Sequence, residues 1–269
     1  MDKRNKAVTD SAAPPLRTWV EHSIAHIQFD RPEVLNAINV PMAKAFHAAC
    51  KRISDDTSVR AVVISGKGRA FLAGGDVVAM VDTPVTTSQE LIRYMHGGIE
   101  ILSSLGCPVI ASLQGSVAGG GLGVALACDI AIAEENTRFS VAYLKIGACA
   151  DCSTSWGLPR VVGLRNALRI ALLGDTVSAE EALNLGLISR VVKAGELATE
   201  TQKIAEKLAR EAPLAVASLK RLFRQSFDHN LHDQLTAESE AFLTCAATED
   251  FKEGISAFLE KRAPNYQGR

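Results

Sequence analysis

Short apolar segments recur along the first two-thirds of the chain and predict buried strands. They are continuous in apolar residues rather than alternating, as in strands that are covered on both faces of a sheet. They lie at 24–29, 60–65, 108–113, 129–133 and 188–192. The pattern therefore predicts five strands of a largely buried sheet.

Segments with helical spacing separate these strands. Asn39, followed by Pro41, has the composition of a helix start, and a second apolar stripe at every third or fourth position covers 90–105. A glycine-opened helix is expected over 119–127, and Ser178 with Glu181 forms a capping box for another. Strand and helix thus alternate over most of the chain.

The last quarter of the chain is predicted to be helical throughout. From Glu196 onward the apolar period is that of a helix, with breaks at Pro213 and near Asp228 and Asp250. The alternating part predicts an α/β fold with right-handed crossovers and a mainly parallel sheet. We therefore expect a flexible tail over 1–17, a core over 18–195 and a helical oligomerisation region over 196–269.

Composition narrows the possible partners. The 269-residue chain carries 29 basic and 30 acidic residues, so its net charge of −1 gives no general attraction to nucleic acid or to an anionic membrane. The longest apolar stretch, 117–133, is broken by glycines and an aspartate, and the first 15 residues lack the apolar core of a signal peptide. We expect a cytoplasmic protein that binds neither nucleic acid nor membrane.

Cys149 and Cys152 form one C-x-x-C pair among six cysteines. A zinc or redox site of this type needs a second pair or an exposed helix N-terminus, and the sequence has no second pair. We expect no metal, and two small buried residues that flank Asp151.

Two glycine-rich segments, 70–76 and 115–123, each follow a predicted strand and precede a helix. Such junctions present unpaired N–H groups to a ligand. Val124 stands where a dinucleotide fingerprint needs its last glycine, and no Gly-Lys-Ser/Thr follows for a phosphate loop. Close packing of helix on strand remains an alternative. Two strand ends that each offer one N–H could hold a single oxyanion, such as the enolate of a thioester.

Six segments, in family order, resemble the enoyl-CoA hydratase/isomerase (crotonase) superfamily over residues 18–266. They are DRPEVLNAIN (30–39), GRAFLAGGD (68–76), GSVAGGGLGVALACDIAIA (115–133), LPRVVG (158–163), VSAEEALNLGLI (177–188) and EGISAFLEKRAP (253–264). The resemblance implies a spiral of repeated β-β-α turns, with a C-terminal helical region that assembles a homotrimer or a dimer of trimers. It also implies an acyl-CoA substrate of fatty acid metabolism and no separate cofactor, since coenzyme A is part of the substrate.

By motif position, the backbone amides of Gly75 and Gly120 would hold the thioester oxygen. Lys67 and Arg69 are further candidates for contacts with the CoA phosphates. The residues that the resemblance, or their charge, assigns to substrate or CoA binding are Arg31, Val34, Asn36, Ala37, Ala73, Gly74, Asp76, Gly119, Phe258 and Lys261.

The acids of the family's hydratases are missing. Gly123 and Tyr143 stand where those enzymes carry two glutamates, and Asp151 is the acid that remains. The run around Asp151 is most similar to the enoyl-CoA and ring-epoxide isomerases of phenylacetate catabolism. Isomerisation needs one base and an oxyanion hole, so we expect double-bond isomerisation with Asp151 as the single acid/base. The alternative for Asp151 is a loop residue that caps a helix near 152–156.

Other activities stay open. An aryl-CoA dehalogenase would use Asp151 as nucleophile and His96 as its helper, although Met95 stands where an aromatic ring is expected. Tyr143 resembles the tyrosine of family decarboxylases, which usually carry histidine at the Gly75 position, or it is a packed aromatic. A hydratase with a non-standard site and a non-catalytic acyl-CoA or RNA binder are the remaining alternatives. The pocket walls are expected from 77–100.

Overall fold

The computed structural model describes residues 14–269, so most of the predicted tail lies outside the described residues. The strands are β1 (Leu16–Glu21), β2 (Ile24–Phe29), β3 (Ala61–Gly66), β4 (Val109–Leu113), β5 (Ser116–Ala118), β6 (Ile130–Glu134), β7 (Arg138–Ser140), β8 (Val177–Ser178) and β9 (Arg190–Val192). The helices are α1 (Val40–Asp55), α2 (Pro84–Ser104), α3 (Gly120–Ala127), α4 (Thr154–Val162), α5 (Leu164–Leu173), α6 (Ala179–Asn184), α7 (Leu197–Ala209), α8 (Pro213–Gln225), α9 (Leu231–Ala246) and α10 (Glu249–Glu260).

A six-stranded sheet in the order β1-β2-β3-β4-β6-β9 forms the centre of the fold. All neighbours are parallel except β1 and β2, so the predicted parallel core is confirmed. β1 was not predicted, and Leu16 and Arg17 belong to it rather than to a tail. The strand is hard to recognise because only its first residue, Leu16, is buried.

A second, smaller layer of strands lies beside the main sheet. β5 pairs with β7 in parallel and β7 pairs with β8 antiparallel, while single bridges join Ile38 to Gly75 and Leu72 to Val117. The chain repeatedly passes from the main sheet through this layer and into a helix. The expected repeat of β-β-α turns is therefore present.

Helices cover both faces of the main sheet. α1 and α2 pack with the larger apolar core, and Asn39 caps α1 by accepting a hydrogen bond from the Met42 amide, as predicted. On the opposite face, Leu197 and Ala205 of α7 pack against Ile24 and Val63. α7 is therefore part of the core, although it lies within the region predicted for oligomerisation.

The helix α5 was not predicted, and α4 was expected only as the helix near 152–156 in the alternative for Asp151. α4 contains Gly157 and Pro159, which are typical of a break, and Gly163 separates α4 from α5. α8 is held to the main sheet by Lys220 and Arg224, whose side chains each lie 2.7 Å from Asp129. Among residues 14–269, no helix combines the length and the apolar character needed to cross a membrane.

Candidate active site

The two glycine segments run side by side across the second layer. Leu72 donates from its amide to Ser116 and accepts from Ala118, at 3.2 and 2.9 Å. Just beyond this pairing the backbone of Gly74 has φ of 101°, and that of Gly119 has φ of 50°. Residues with a Cβ are strained in this region, so glycine is required where both segments leave the layer.

The amides of Gly75 and Gly120 are left unpaired by the surrounding backbone. The Ile38 amide donates to the Gly74 carbonyl, and the Ile38 carbonyl accepts from the Asp76 amide. The Gly75 amide, which lies between these two groups, takes no part in this pairing. Gly120 is the first residue of α3, where an amide has no acceptor within its own helix. Among residues 14–269 neither amide donates to a backbone oxygen, and both glycines line the same cavity.

That cavity has a volume of about 390 Å³ and mostly apolar walls. One face of α2 supplies four side chains at helical spacing, namely Ser88, Leu91, Ile92 and Met95. The remaining apolar walls come from Ile38, Val77, Met80, Ile146 and Ala148. The prediction that 77–100 forms pocket walls is confirmed. The further apolar walls from Ile38, Ile146 and Ala148 were not predicted.

Asp151 lies in the same cavity as the two glycines. Its carboxylate Oδ1 accepts a hydrogen bond from the Tyr143 hydroxyl, and its backbone carbonyl accepts from the Thr154 amide at 3.0 Å. α4 begins at Thr154, and the residue before it makes no side-chain cap. The alternative in which the Asp151 side chain caps this helix is therefore wrong.

The groups that contact Asp151 are neutral donors. Burial raises the pKa of the Tyr143 hydroxyl far above neutrality, and the nearby negative charge of Asp151 adds to the shift. Burial also raises the pKa of the Cys152 thiol, again with a contribution from Asp151. Both groups stay protonated near neutral pH and can donate hydrogen bonds to the carboxylate.

His96 supports the loop that carries Asp151. Its Nε2 atom accepts a hydrogen bond of 3.1 Å from the Cys152 amide, and His96 is not among the residues that line the cavity. The ligand atoms of His96, Asp151 and Cys152 lie within 4.8 Å of one another, a spacing that a metal site could use. The Nε2 lone pair is already occupied, however, and the thiol resists deprotonation, so the geometry does not favour a metal ion.

Gly123 faces the backbone of the Asp151 loop at very short range. A Cβ atom built at Gly123 would lie 2.0 Å from the carbonyl oxygen of Cys152. Any side chain at this position would therefore require the 149–153 loop to move. The space that a hydratase glutamate would need is filled by backbone.

The predicted CoA-binding residues of segments 31–37 and 73–76 come together beside the oxyanion glycines. Arg31 donates to the carbonyl of Ala37 and to the carboxylate of Asp76, at 2.6 and 3.1 Å. Ala73 donates to the Leu35 carbonyl at 3.2 Å. Arg31 therefore joins the two segments through its ion pair with Asp76, whereas Val34 is exposed at the edge.

The buried side chain of Asn36 stabilises this region. It is fully buried; its Nδ2 atom donates to the carbonyls of Lys67, Ala70 and Phe71, and its Oδ1 atom accepts from the Arg31 amide. Its side chain is thus occupied by protein contacts. The side chain of Asn36 therefore positions the segment, and its predicted role in CoA binding stays a prediction.

The remaining residues that were predicted to contact substrate or CoA do not line this cavity. Gly119 packs against Gly74, with 3.5 Å between the Gly74 Cα and a Cβ built at Gly119. Lys67 pairs with Asp30 at 2.9 Å. Phe258 and Lys261, at the end of α10, are exposed, and Phe258 borders a different cavity.

Cys149 is exposed, so the prediction that both cysteines of the pair are buried is wrong for this one. Because Cys149 lines the cavity while Cys152 is buried, we expect iodoacetamide to modify Cys149 first and to block the site. Saturating acyl-CoA should protect it, and Cys149→Ser should keep its activity after the same treatment. Peptide mass mapping gives the modified residue, and equally fast loss of activity in Cys149→Ser would contradict the expectation.

Comparison of the sequence with known proteins identifies related chains. A sequence model of the enoyl-CoA hydratase/isomerase family matches residues 20–269. A protein named probable enoyl-CoA hydratase from Rhodobacter capsulatus is 34% identical over 254 residues, which covers 94% of this chain and 98% of its own. The 1,2-epoxyphenylacetyl-CoA isomerase of Escherichia coli is 33% identical over 254 residues, with coverage of 93% and 97%.

Comparison with solved structures gives the same family relationship. The crystal structure of an enoyl-CoA hydratase from Bacillus anthracis superposes with a TM-score of 0.91 at 28% identity, and the match covers 95% of this chain and all of the other. The expected crotonase fold is therefore confirmed.

Proposed function

Because the chain belongs to the enoyl-CoA hydratase/isomerase family, we propose that it moves the double bond of an enoyl-CoA thioester. Asp151 carries the proton, and the amides of Gly75 and Gly120 hold the thioester oxygen. The observation that carries the proposal is that Asp151 is the one carboxylate among the described residues that line the cavity shared by these two glycines.

The chemistry requires one base and one oxyanion site. The ionised Asp151 removes a proton from the α-carbon of a 3-enoyl thioester, and the electron pair delocalises onto the thioester oxygen as a dienolate. Two N–H groups stabilise that oxygen in a site with little water. The protonated Asp151 then returns the proton to the γ-carbon, which gives the conjugated 2-enoyl thioester and restores the carboxylate.

Hydration is less well supported by the same residues. Gly123 has no side chain, and the Cys152 carbonyl fills the space where one would begin. Tyr143 presents a phenol that remains protonated, so it does not act as a base for water near neutral pH. Among the described residues that line the cavity, a hydratase would therefore have only the Asp151 carboxylate to position and activate a water molecule.

Dehalogenation of an aryl substrate is also less well supported. The Nε2 atom of His96 accepts from the Cys152 amide and is not available to activate water. Tyr143 contributes the one aromatic ring among the described residues that line the cavity, and the other apolar walls are aliphatic or sulfur-containing. These walls suit an aliphatic acyl chain better than an aryl ring.

The proposal is tested by supplying a 3-enoyl-CoA and a 2-enoyl-CoA to the purified protein in separate reactions. Formation of the conjugated product from the 3-enoyl thioester, with little loss of the 2-enoyl thioester, is the expected result. Fast hydration of the 2-enoyl thioester that is unchanged in Asp151→Asn would overturn it.

We also propose that the chain self-associates as a homotrimer or a dimer of trimers. Large apolar side chains are exposed along the C-terminal helices, among them Phe223, Phe227, Leu235, Phe242 and Leu259. Exposed apolar surface of this extent is typical of an interface. Light scattering coupled to size exclusion should give three or six times the chain mass, and a monomer at micromolar concentration would contradict this.

A further inference from the structure

The Tyr143 phenol is held in a fixed position opposite Asp151. Tyr143 follows Ala142, whose backbone is left-handed, and begins a single helical turn that ends at Ile146. Its amide donates to the Val141 carbonyl at 2.8 Å, and its own carbonyl accepts from the Ala148 amide at 3.1 Å. These contacts fix the backbone from which the ring projects.

The phenol contacts the carboxylate at one oxygen. Its hydroxyl donates to Asp151 Oδ1 and also lies 3.3 Å from the Asp151 backbone carbonyl. The ring is close to the oxyanion glycines, since its Cζ atom is 3.9 Å from a Cβ built at Gly119. Tyr143 thus lies between the base and the glycine segment that carries Gly120.

Thr154 adds a second polar group near the phenol. Its hydroxyl oxygen is buried and has no hydrogen-bond partner among the described residues. It lies close enough to Tyr143 to oppose part of the rise in the pKa of the phenol. A hydrogen bond from Thr154 to the phenol oxygen would satisfy this buried hydroxyl and strengthen the bond from Tyr143 to Asp151.

The described residues around Asp151 place no cationic side chain against its carboxylate. Among residues 14–269, no Lys, Arg or His forms an ion pair with Asp151, and the titratable groups that face it are Tyr143, Cys152 and His96. The cavity-lining Cys149 is two residues away. His96 accepts from a backbone amide, so the carboxylate depends on the phenol and the thiol to stabilise its charge.

We propose that Tyr143 is a positioning residue that holds Asp151 Oδ1, so that Oδ2 is the oxygen that takes and returns the proton. This inference rests on the proposed isomerase function. It assigns a task to the residue that stands where the family's hydratases carry a glutamate. A phenol suits that task because it remains a donor throughout the pH range in which the carboxylate works.

The kinetic test compares Tyr143→Phe, which removes only the hydroxyl, with Tyr94→Phe. Tyr94, on α2, packs beside His47 of α1 and does not line the cavity, so its variant is a matched control. We expect Tyr143→Phe to lower kcat about 10- to 100-fold, since a base that is less well oriented transfers protons more slowly, while KM changes less than about twofold. Thr154→Val should give a smaller loss of the same kind.

The pH profile separates positioning from a general structural effect. A hydrogen-bond donor to a carboxylate favours the ionised form, and removing the donor weakens that preference. Activity needs the ionised form and is lost at acid pH. The acid limb of the kcat profile should therefore move to higher pH in Tyr143→Phe and stay in place in Tyr94→Phe.

A measurement without turnover keeps this inference separate from the proposed function. Carbon-13 NMR of aspartate-labelled protein, with Asp151→Asn used to assign the signal, follows the Asp151 carboxyl directly. A carboxyl signal that changes at higher pH in Tyr143→Phe than in the wild-type protein is the expected result, even if the wild-type protein isomerises no thioester tested. An unchanged pH dependence of this signal together with an unchanged kcat would overturn the inference; if Tyr143→Phe fails to fold, Thr154→Val is measured and must move the signal in the same direction.

Discussion

Replacing Asp151 with Asn is expected to lower kcat for isomerisation about 10²- to 10⁴-fold, the usual contribution of a general acid/base. This corresponds to a barrier increase of roughly 3 to 5 kcal/mol. Asparagine has the same shape and can still accept the hydrogen bond from Tyr143 at its amide oxygen. It cannot take up the substrate proton, so the loss should appear in kcat, while acyl-CoA binding changes little.

The measurement is steady-state kinetics with a 3-enoyl-CoA, together with calorimetric titration of a saturated acyl-CoA. Asp55→Asn, at the exposed end of α1, is a control of the same chemical change far from the cavity. Retention of more than about a tenth of the wild-type kcat in Asp151→Asn would assign the proton transfer to another group.

Replacing Gly123 with Ala is expected to destabilise the protein by about 1 to 3 kcal/mol and to abolish activity. The new Cβ would lie 2.0 Å from the Cys152 carbonyl and 2.7 Å from the Cys152 Cβ. Backbone and a buried side chain cannot move aside cheaply in a packed interior, where overpacking alone costs about 1 to 3 kcal/mol. The movement would displace the adjacent Asp151, although Gly123 is not among the residues that line the cavity.

Urea unfolding and kinetics measure both parts of this effect. Gly106→Ala is a suitable control, because its closest contact there would be the Ala217 Cβ at 3.3 Å. Gly123→Glu should likewise be destabilised and should gain no hydratase activity, even though it restores an acid at the position used by related enzymes. A stable Gly123→Glu protein that hydrates a 2-enoyl thioester would contradict this account.

Four strands of the main sheet could be predicted because they are long enough and apolar enough to show a pattern. β2, β3, β4 and β6 are apolar runs of five or six residues, and the helices between them have a clear period. β5, β7 and β8 have only two or three residues each, which is too short for any period to appear. The layer that aligns the two glycine segments was therefore not predictable from local pattern.

The candidate site was also partly predictable, but from sequence motifs rather than from periodic patterns. Gly75, Gly120 and Asp151 were identified through their motifs, and they line one cavity. The hydrogen bond between Tyr143 and Asp151 depends on a turn with left-handed residues at Ala142 and Gly147, which no periodic pattern reveals. The contact of His96 with Cys152 spans 56 positions and depends on how α2 packs, so local sequence carries no signal for it.

The product that the wild-type protein forms from a 3-enoyl-CoA in oxygen-18 water, separated from the substrate by chromatography and then weighed by mass spectrometry, tests the central claim most directly. A double-bond shift neither adds nor removes water, so we predict a conjugated product with the mass of the substrate and no heavy oxygen. Asp151→Asn should form it at no more than about a hundredth of the wild-type rate. A product heavier by one labelled water, formed by the wild-type protein at a rate that Asp151→Asn does not change, would contradict the account.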